Sequence, residues 1–525
     1  MMKWIIRYWC FLWVVLGLSV RAVEKPNFLV IAIDDLNHYV SFLQDTDGNF
    51  IQKLYPDEGK RAEVAKLLTP NLQKLADRSM IFSQTYCSQA LCGPSRTAMM
   101  TGVPPHVSGY EEHSKHFRHH DSLKNVVTLP QYLKNNGYFT AGVGKIFHKA
   151  SVAYEGGIQN DWPDRLYSWS HWVDRPIGVH TDGSNKTKFS PYSPDDRYMK
   201  FGLTTHAIED THDYQNAKFI AEVFEKGSGQ IKDKLGQLHT MTLPEGQPFY
   251  LVCGLFAPHM PWSVHQSFYD RFPVDELGID EALRNWTEED IKDLSEYAIK
   301  KFVGGDVPML DDMAAKVHGE GKGQLEAWKA AVQAYLATIA YADECVGLLL
   351  EAIEKSPHSE NTVIVVHSDH GWHLGDKYRY RKHCLWGAAT RSVFMISDPK
   401  YPLTQVGHEC VQLISLQDYY PTVVSRAGLD RPSHVHGRDF SPLMEDPLEA
   451  SWENVVLTTW SEENDSVRTD RYLLIRYGDG SRELYNVVKD PWEYENLADV
   501  SSYKPVLKMM EDLLDERLNM PASDY

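Results

Sequence analysis

Long hydrophobic runs are nearly absent from this chain, and so is any excess of basic charge. The one run of membrane-like character, Tyr8 to Val20, lies near the N-terminus. It is short for a span of about 20 residues, and no second such run follows, so no membrane anchor is expected. Lys and Arg number 53 against 72 Asp and Glu, a formal net charge of −19. That balance suits a soluble chain and excludes a general nucleic-acid binder. Cysteine is scarce, with seven residues of which Cys10 sits inside the N-terminal run. Their irregular spacing excludes a disulfide scaffold and a zinc ribbon. No internal repeat and no low-complexity segment is found. Hydrophobic residues make up 43%, which supports a sizeable core and argues against disorder.

The 525 residues suit one large domain plus a smaller one. Lys3 and Arg7, the apolar run, and then Arg21-Ala22 follow the order of a secretory leader, with cleavage expected near Ala22. The mature chain is therefore expected to be secreted or periplasmic. Loss of residues 1–22 removes Lys3, Arg7 and Arg21 and no acid, taking the formal charge from −19 to −22.

Phe28 to Ile33 is an unbroken apolar run ending in Asp34-Asp35, and Thr362 to Val366 is another, ending in His367-Ser368-Asp369-His370-Gly371. Such runs, without alternation, read as buried parallel strands. Tyr138 to Gly144 leads to Lys145 and His148, Phe249 to Phe256 leads to His259, and Ser79 to Tyr86 reads as one strand leading toward Cys92. Helices fall between them, opening at Thr69-Pro70, at Thr128, at about His212 and at Leu325. Alternation of this kind predicts an α/β fold with a doubly wound sheet. Ligands of such sheets bind at the carboxyl ends of the strands, so Asp34-Asp35, Lys145, His148, His259 and Asp369-His370 should converge on one edge. Residues 150–245 read as long connections with one helix, and 275–325 as a polar helical insertion. The tail reads as three short strands, at 455–460, 472–477 and 483–487, followed by a helix from Lys504 to Met520.

The stretch Cys92-Gly93-Pro94-Ser95-Arg96-Thr97-Ala98-Met99-Met100-Thr101-Gly102 predicts a short helix with Pro94 in its first turn and Gly102 at its end. Cys92 would then sit at the helix mouth, where backbone N–H groups favour anionic chemistry. Read alone, Cys92 is either half of a disulfide, with Cys87 one candidate partner, or a buried thiol. Two adjacent carboxylates at Asp34-Asp35 would repel each other unless a cation or a donor sits between them. Oxygen ligands from Asp34, Asp35 and Asp369 suit Ca²⁺ or Mg²⁺ better than zinc.

The whole stretch resembles the pattern C-x-P-S-R-x-x-x-[LM]-T-G of the formylglycine-dependent sulfatases at every specified position. Ser368 to Gly375, Gly144 to His148 and Pro258 to Pro261 resemble the iduronate-2-sulfatase branch of that family. Landmarks run from about residue 25 to about 500. The resemblance implies an alkaline-phosphatase-like α/β sheet over residues 23–445, and a smaller α+β subdomain over 446–525. It implies that Cys92 is oxidised to formylglycine by a maturation enzyme. It also implies one Ca²⁺ held by Asp34, Asp35, residue 92, Asp369 and His370, and a sulfated carbohydrate as substrate. One hydroxyl of the hydrated aldehyde would attack sulfur, and the other would then expel sulfate. Arg96, Lys145 and Lys382 would neutralise sulfate oxygens, His148 would act as base, and His259 would protonate the leaving oxygen.

Substrate capture needs local positive charge on an acidic protein. Lys377, Arg379 and Arg381 would share one side of an extended stretch, with Lys382 next to them. His113, Lys115, His116, Arg118, His119 and His120 form a second basic stretch, without the ligand spacing of a structural metal site. Two readings compete with the sulfatase. One is a phosphomonoester, phosphodiester or phosphonate hydrolase on the same fold. The other is a carbohydrate-binding relic, which would be expected to have lost a metal Asp or the Cys; neither is missing.

Overall fold

A computed structural model describes residues 25–112, 116–148, 163–173, 187–192, 199–233, 236–303, 306–401, 406–461 and 463–524. The proposed leader, His113 and Lys115 lie outside the described residues. Among the described residues, no helix is long and apolar enough to cross a membrane.

An eight-stranded sheet forms the centre. In chain order its strands are β1 (Asn27–Ile33), β2 (Met80–Phe82), β3 (Phe139–Gly144), β4 (His171–Val173), β5 (Phe249–Leu255), β6 (Thr362–Ser368), β7 (Phe394–Ser397) and β8 (His408–Cys410). Their spatial order is β8-β2-β7-β6-β1-β5-β3-β4. The segment from β6 to β4 is parallel, while β7 runs antiparallel to both neighbours. β1 is buried along its whole length, as expected for a central strand covered on both faces. Its alternate side chains feed two cores: Leu29, Ile31 and Ile33 one, Phe28, Val30 and Ala32 the other. Two long helices cover the first face, His212–Lys226 and the 32-residue Gln324–Lys355.

The single strand expected over 79–86 is two. Met80–Phe82 joins the central sheet, while Thr85–Tyr86 belongs to a separate three-stranded sheet. The 150–245 region holds more regular structure than expected. It contains the hairpin Ser228–Lys232/Leu238–Thr242 and the strand Phe201–Thr204, which pairs with Thr187–Phe189 and Trp262–Val264. The hairpin buries little of itself, so its polar composition hid it.

The tail forms a four-stranded antiparallel sheet with helix Lys504–Leu518 packed on it. Its strands are β9 (Val455–Trp460), β10 (Asn464–Thr469), β11 (Tyr472–Arg476) and β12 (Arg482–Asn486). β10 was not anticipated. Its sequence Asn-Asp-Ser-Val-Arg-Thr looks like a loop, yet it is almost wholly buried. Partners make that possible: Ser466 Oγ donates to Thr458 O at 3.2 Å, and Arg468 pairs with Glu493.

Candidate active site

Strand register builds the site. In the parallel block, Ile33 of β1 is level with Ser368 of β6 and Leu255 of β5, and Gly254 of β5 is level with Gly144 of β3. The residues that follow therefore emerge side by side: Asp34-Asp35, Asp369-His370, Lys145 and, four residues past β5, His259. The helix α1 (Cys92–Thr101) faces this edge, closed by Gly102 in a left-handed turn at φ 70°. Cys92 is its first residue and is buried. Among the described residues all six cysteines are free and buried, so Cys92 is in no disulfide.

The Cys92 sulfur lies 2.8 Å from Lys382 Nζ, 3.8 Å from Lys145 Nζ, 3.5 Å from His370 Nε2 and 3.7 Å from Asp35 Oδ1. Burial pushes the thiol up; Lys145 and Lys382, with hydrogen bonds from His148 and His259, outweigh it and hold it well below its usual range. This environment favours an anion at position 92.

The carboxylates are held by one guanidinium. Arg96 Nε donates to Asp369 Oδ2 at 2.8 Å and Nη2 to Asp34 Oδ1 at 2.9 Å, while Nη1 reaches the carbonyls of Lys145 and Ile146. All three side chains are buried. Lys145 Nζ pairs with Asp34, and Lys382 Nζ with Asp35. Asp35 N donates to Asp369 Oδ1 at 3.1 Å, tying the two strand ends together. Burial raises Asp369 to about 6 despite Arg96; burial also opposes ionisation of Asp34, but Lys145 and Arg96 win there and hold it below the usual range.

The residues present fit a hard divalent cation. Ligand atoms of Asp35, Cys92, Asp369 and His370 lie within 4.8 Å of one another, as do those of Asp34, Asp35, Cys92 and His259. Asp35 Oδ2 is buried with no hydrogen-bond partner, the orphan expected where a cation would bind. His370 Nδ1 lies 3.0 Å from Gly371 O, which leaves its Nε2 lone pair for the cluster.

Positioning residues were missed from the sequence. Asp35 has φ 58°, a left-handed conformation that non-glycine residues adopt only when held. Tyr335, on the long helix, holds it: its hydroxyl donates to Asp35 O at 2.7 Å and accepts from Asn37 N at 3.0 Å. Ser95 Oγ donates to Asp369 O at 2.5 Å. Asp213 accepts from Phe256 N and Ala257 N at 2.8 and 2.7 Å and shapes the turn that presents His259. A tyrosine on a helix's buried face reads as core, so Tyr335 carried no signal. Tyr335→Phe is expected to leave two buried backbone groups unpaired, each worth about 1–3 kcal/mol. It should lower activity about 10–100-fold, as loss of an outer-shell partner does. Thermal melts beside kcat would check this.

Three residues past Asp35 the chain buries His38, and burial, assisted by Arg391, pushes its pKa to about 3. The folded protein keeps this ring neutral, whereas the unfolded chain protonates it below about 6.5. Relative to His38→Asn, the native protein is therefore expected to lose stability as pH falls from 6.5 toward 3, by up to about 1.4 kcal/mol per pH unit. Urea melts of both proteins at pH 7 and pH 5 would show it.

The basic stretch after Asp369 is not extended. Lys377, Tyr378, Arg381 and His383 all have positive φ, between 47° and 73°, so alternation does not apply. Lys377 is buried against Asp290 at 2.6 Å. Arg379 is buried, donating to Lys382 O and lying over the Trp386 ring at 5.9 Å. The expected extended backbone is corrected, and neither Lys377 nor Arg379 faces solvent. Arg381 is half-buried, between Tyr380 and Lys382. In the histidine stretch, His116 and Arg118 are buried, the latter paired with Asp164 at 2.8 Å, while His119 is exposed and His120 half-buried.

Fold and site together place a buried cysteine at a helix mouth beside a cluster of carboxylates that could hold a cation. The sequence model of the family described as Sulfatase matches residues 26–429, and that described as N-sulphoglucosamine sulphohydrolase, C-terminal, matches 370–519. The chain belongs to the sulfatase family, enzymes that hydrolyse sulfate esters. A sulfatase of Formosa agariphila is 28% identical over 506 residues, spanning 94% of this chain and 87% of that protein. The iduronate 2-sulfatase of Homo sapiens is 26% identical, spanning 80% and 72%. Among solved structures, the phosphonate monoester hydrolase of Agrobacterium radiobacter superimposes at a TM-score of 0.65 with 19% identity, covering 94% of this chain and 95% of that one, a likeness of fold.

Proposed function

We propose that this sulfatase removes O-sulfate from a sulfated carbohydrate, after secretion and after a maturation enzyme has oxidised Cys92 to formylglycine. The observation that carries the reading is the setting of Cys92: a helix mouth, the ammonium groups of buried Lys382 and half-buried Lys145, and a carboxylate cluster with an orphaned oxygen. The sulfur stands in for the oxygens that hydrated formylglycine would place there. Hydrated, that residue would supply the hydroxyl nucleophile, and Asp34, Asp35, Asp369 and His370 would hold a calcium whose charge would favour the ionised form.

The remaining chemistry belongs to the chain. Lys145 and Lys382 set two cations beside position 92, where the sulfate oxygens must lie as sulfur is attacked. His148 is hydrogen-bonded to residue 92 and half-buried, placed to take its proton. His259 stands at the mouth, 26% exposed, with Nδ1 2.6 Å from Met260 O and Nε2 3.8 Å from Asp35 Oδ2. With Nδ1–H donated to that carbonyl, Nε2 is the atom that carries a proton toward the leaving oxygen. Human iduronate 2-sulfatase and a Bacteroides thetaiotaomicron delta 4,5-hexuronate-2-O-sulfatase are among its relatives, which favours a uronic-acid sulfate.

Phosphonate and phosphate esters are the competing substrates, since the same fold carries a phosphonate hydrolase. Parallel assays on desalted sulfated oligosaccharides, read by mass spectrometry, and on an aryl phosphonate monoester separate the two. Faster turnover of the phosphonate would overturn the assignment. Chelation should abolish activity and lower the melting temperature, because paired carboxylates lose their cation. Ca²⁺ should restore both; restoration by Zn²⁺ alone would refute the ligand reading.

A further inference from the structure

A cavity of about 340 Å³ opens between the α/β domain and the C-terminal sheet, and none of the residues assigned above to catalysis or metal lines it. Its wall carries four side chains that bear positive charge: Arg391, Arg468, Lys377 and His373. Three are matched. Arg468 pairs with Glu493, Lys377 with Asp290 at 2.6 Å, and His373 with Asp376 at 2.6 Å. Arg391 forms no ion pair among the described residues. It is 7% exposed; its Nε donates to Ser83 O at 2.7 Å, and its Nη2 has no hydrogen-bond partner.

Glu493 forms no ion pair with Arg391; one of its oxygens takes Arg468 and the other accepts Gly387 N at 2.8 Å. Asp47 and Asp470, also on the wall, are solvent-exposed, where charge is screened. The deep wall thus holds one cation in excess, and the neighbouring Arg468 has its own Nε without a partner. A buried, unpaired charge is costly, and a guanidinium is shaped to grip an oxoanion with two parallel N–H bonds.

The geometry points to a second anion site, in which Arg391, with Arg468, binds an oxoanion: sulfate, or the sulfate or carboxylate of a sugar. The cavity falls in the roughly 300–1,000 Å³ range of small-molecule sites, more than a bare ion fills. Trp286, Trp492 and Tyr86 line the same wall, Tyr86 with Arg468 over its ring at 4.7 Å.

Selenate, a sulfate isostere with an anomalous signal, tests this without turnover. Crystals of the full chain soaked in selenate should show a selenium peak against Arg391, separate from any at Cys92. Arg391→Gln should remove that peak and leave the one at Cys92. Water alone beside Arg391 in the native protein, or a peak unchanged by Arg391→Gln, would overturn the proposal. The native soak decides alone if the variant does not fold. Calorimetry of Cys92→Ala protein with selenate and with a sulfated disaccharide identifies the source. A tenfold or greater preference for the disaccharide at the Arg391-dependent site assigns a saccharide, and equal affinity assigns the free oxoanion. No Arg391-dependent binding of either contradicts the site. None of these outcomes depends on the proposed reaction.

Discussion

Arg96→Ala is expected to cost the fold about 3–5 kcal/mol, the range for breaking a buried ion pair from one side. Arg96 is the only cation bonded to both Asp34 and Asp369 among the described residues, and it also fastens the carbonyls of Lys145 and Ile146. Removing it leaves Asp369 without its guanidinium, in a site already unfavourable to charge. Lys145 still covers Asp34, so the loss concentrates on the strand end at Asp369. Arg96→Lys should recover part of the charge but not the fork that spans two carboxylates. Denaturant melts would show the ranking native, then Lys, then Ala. A loss below about 1 kcal/mol for Ala would mean that the carboxylates are neutralised otherwise.

Cys92→Ala should abolish turnover while leaving the melting temperature of the metal-free protein nearly unchanged. Removing the nucleophile of a catalytic unit costs on the order of 10⁴–10⁶ in kcat. The sulfur makes no hydrogen bond on which the fold depends; its neighbours Lys145 and Lys382 keep their carboxylate partners. Cys92→Ser adds a finer test. It offers one hydroxyl and no second one to expel sulfate, so at most a single turnover is expected.

Much of this site was legible because strand ends are legible. Phe28 to Ile33 and Thr362 to Val366 are unbroken apolar runs, and parallel register then forces Asp34 beside Asp369. The Cys92 helix was legible from Pro94 and Gly102, whose backbone preferences are local. Signals failed where tertiary partners decide. Tyr335 is a helix tyrosine until its hydroxyl meets Asp35 O. β10 is polar, and only its partners in the sheet and at Glu493 make it a strand. The basic stretch misled because alternation presumes an extended backbone, and four left-handed residues turn Lys377 and Arg379 inward. Lys382 is the instructive case: it belongs to the same stretch, yet it lies 2.8 Å from the Cys92 sulfur.

The most direct measurement is peptide mass spectrometry of residue 92 beside specific activity on a sulfated oligosaccharide, for protein made with and without a formylglycine-generating enzyme. The expected result is the mass change from CH₂–SH to an aldehyde at residue 92, with activity proportional to the fraction converted. Full activity from protein that keeps the thiol would contradict it.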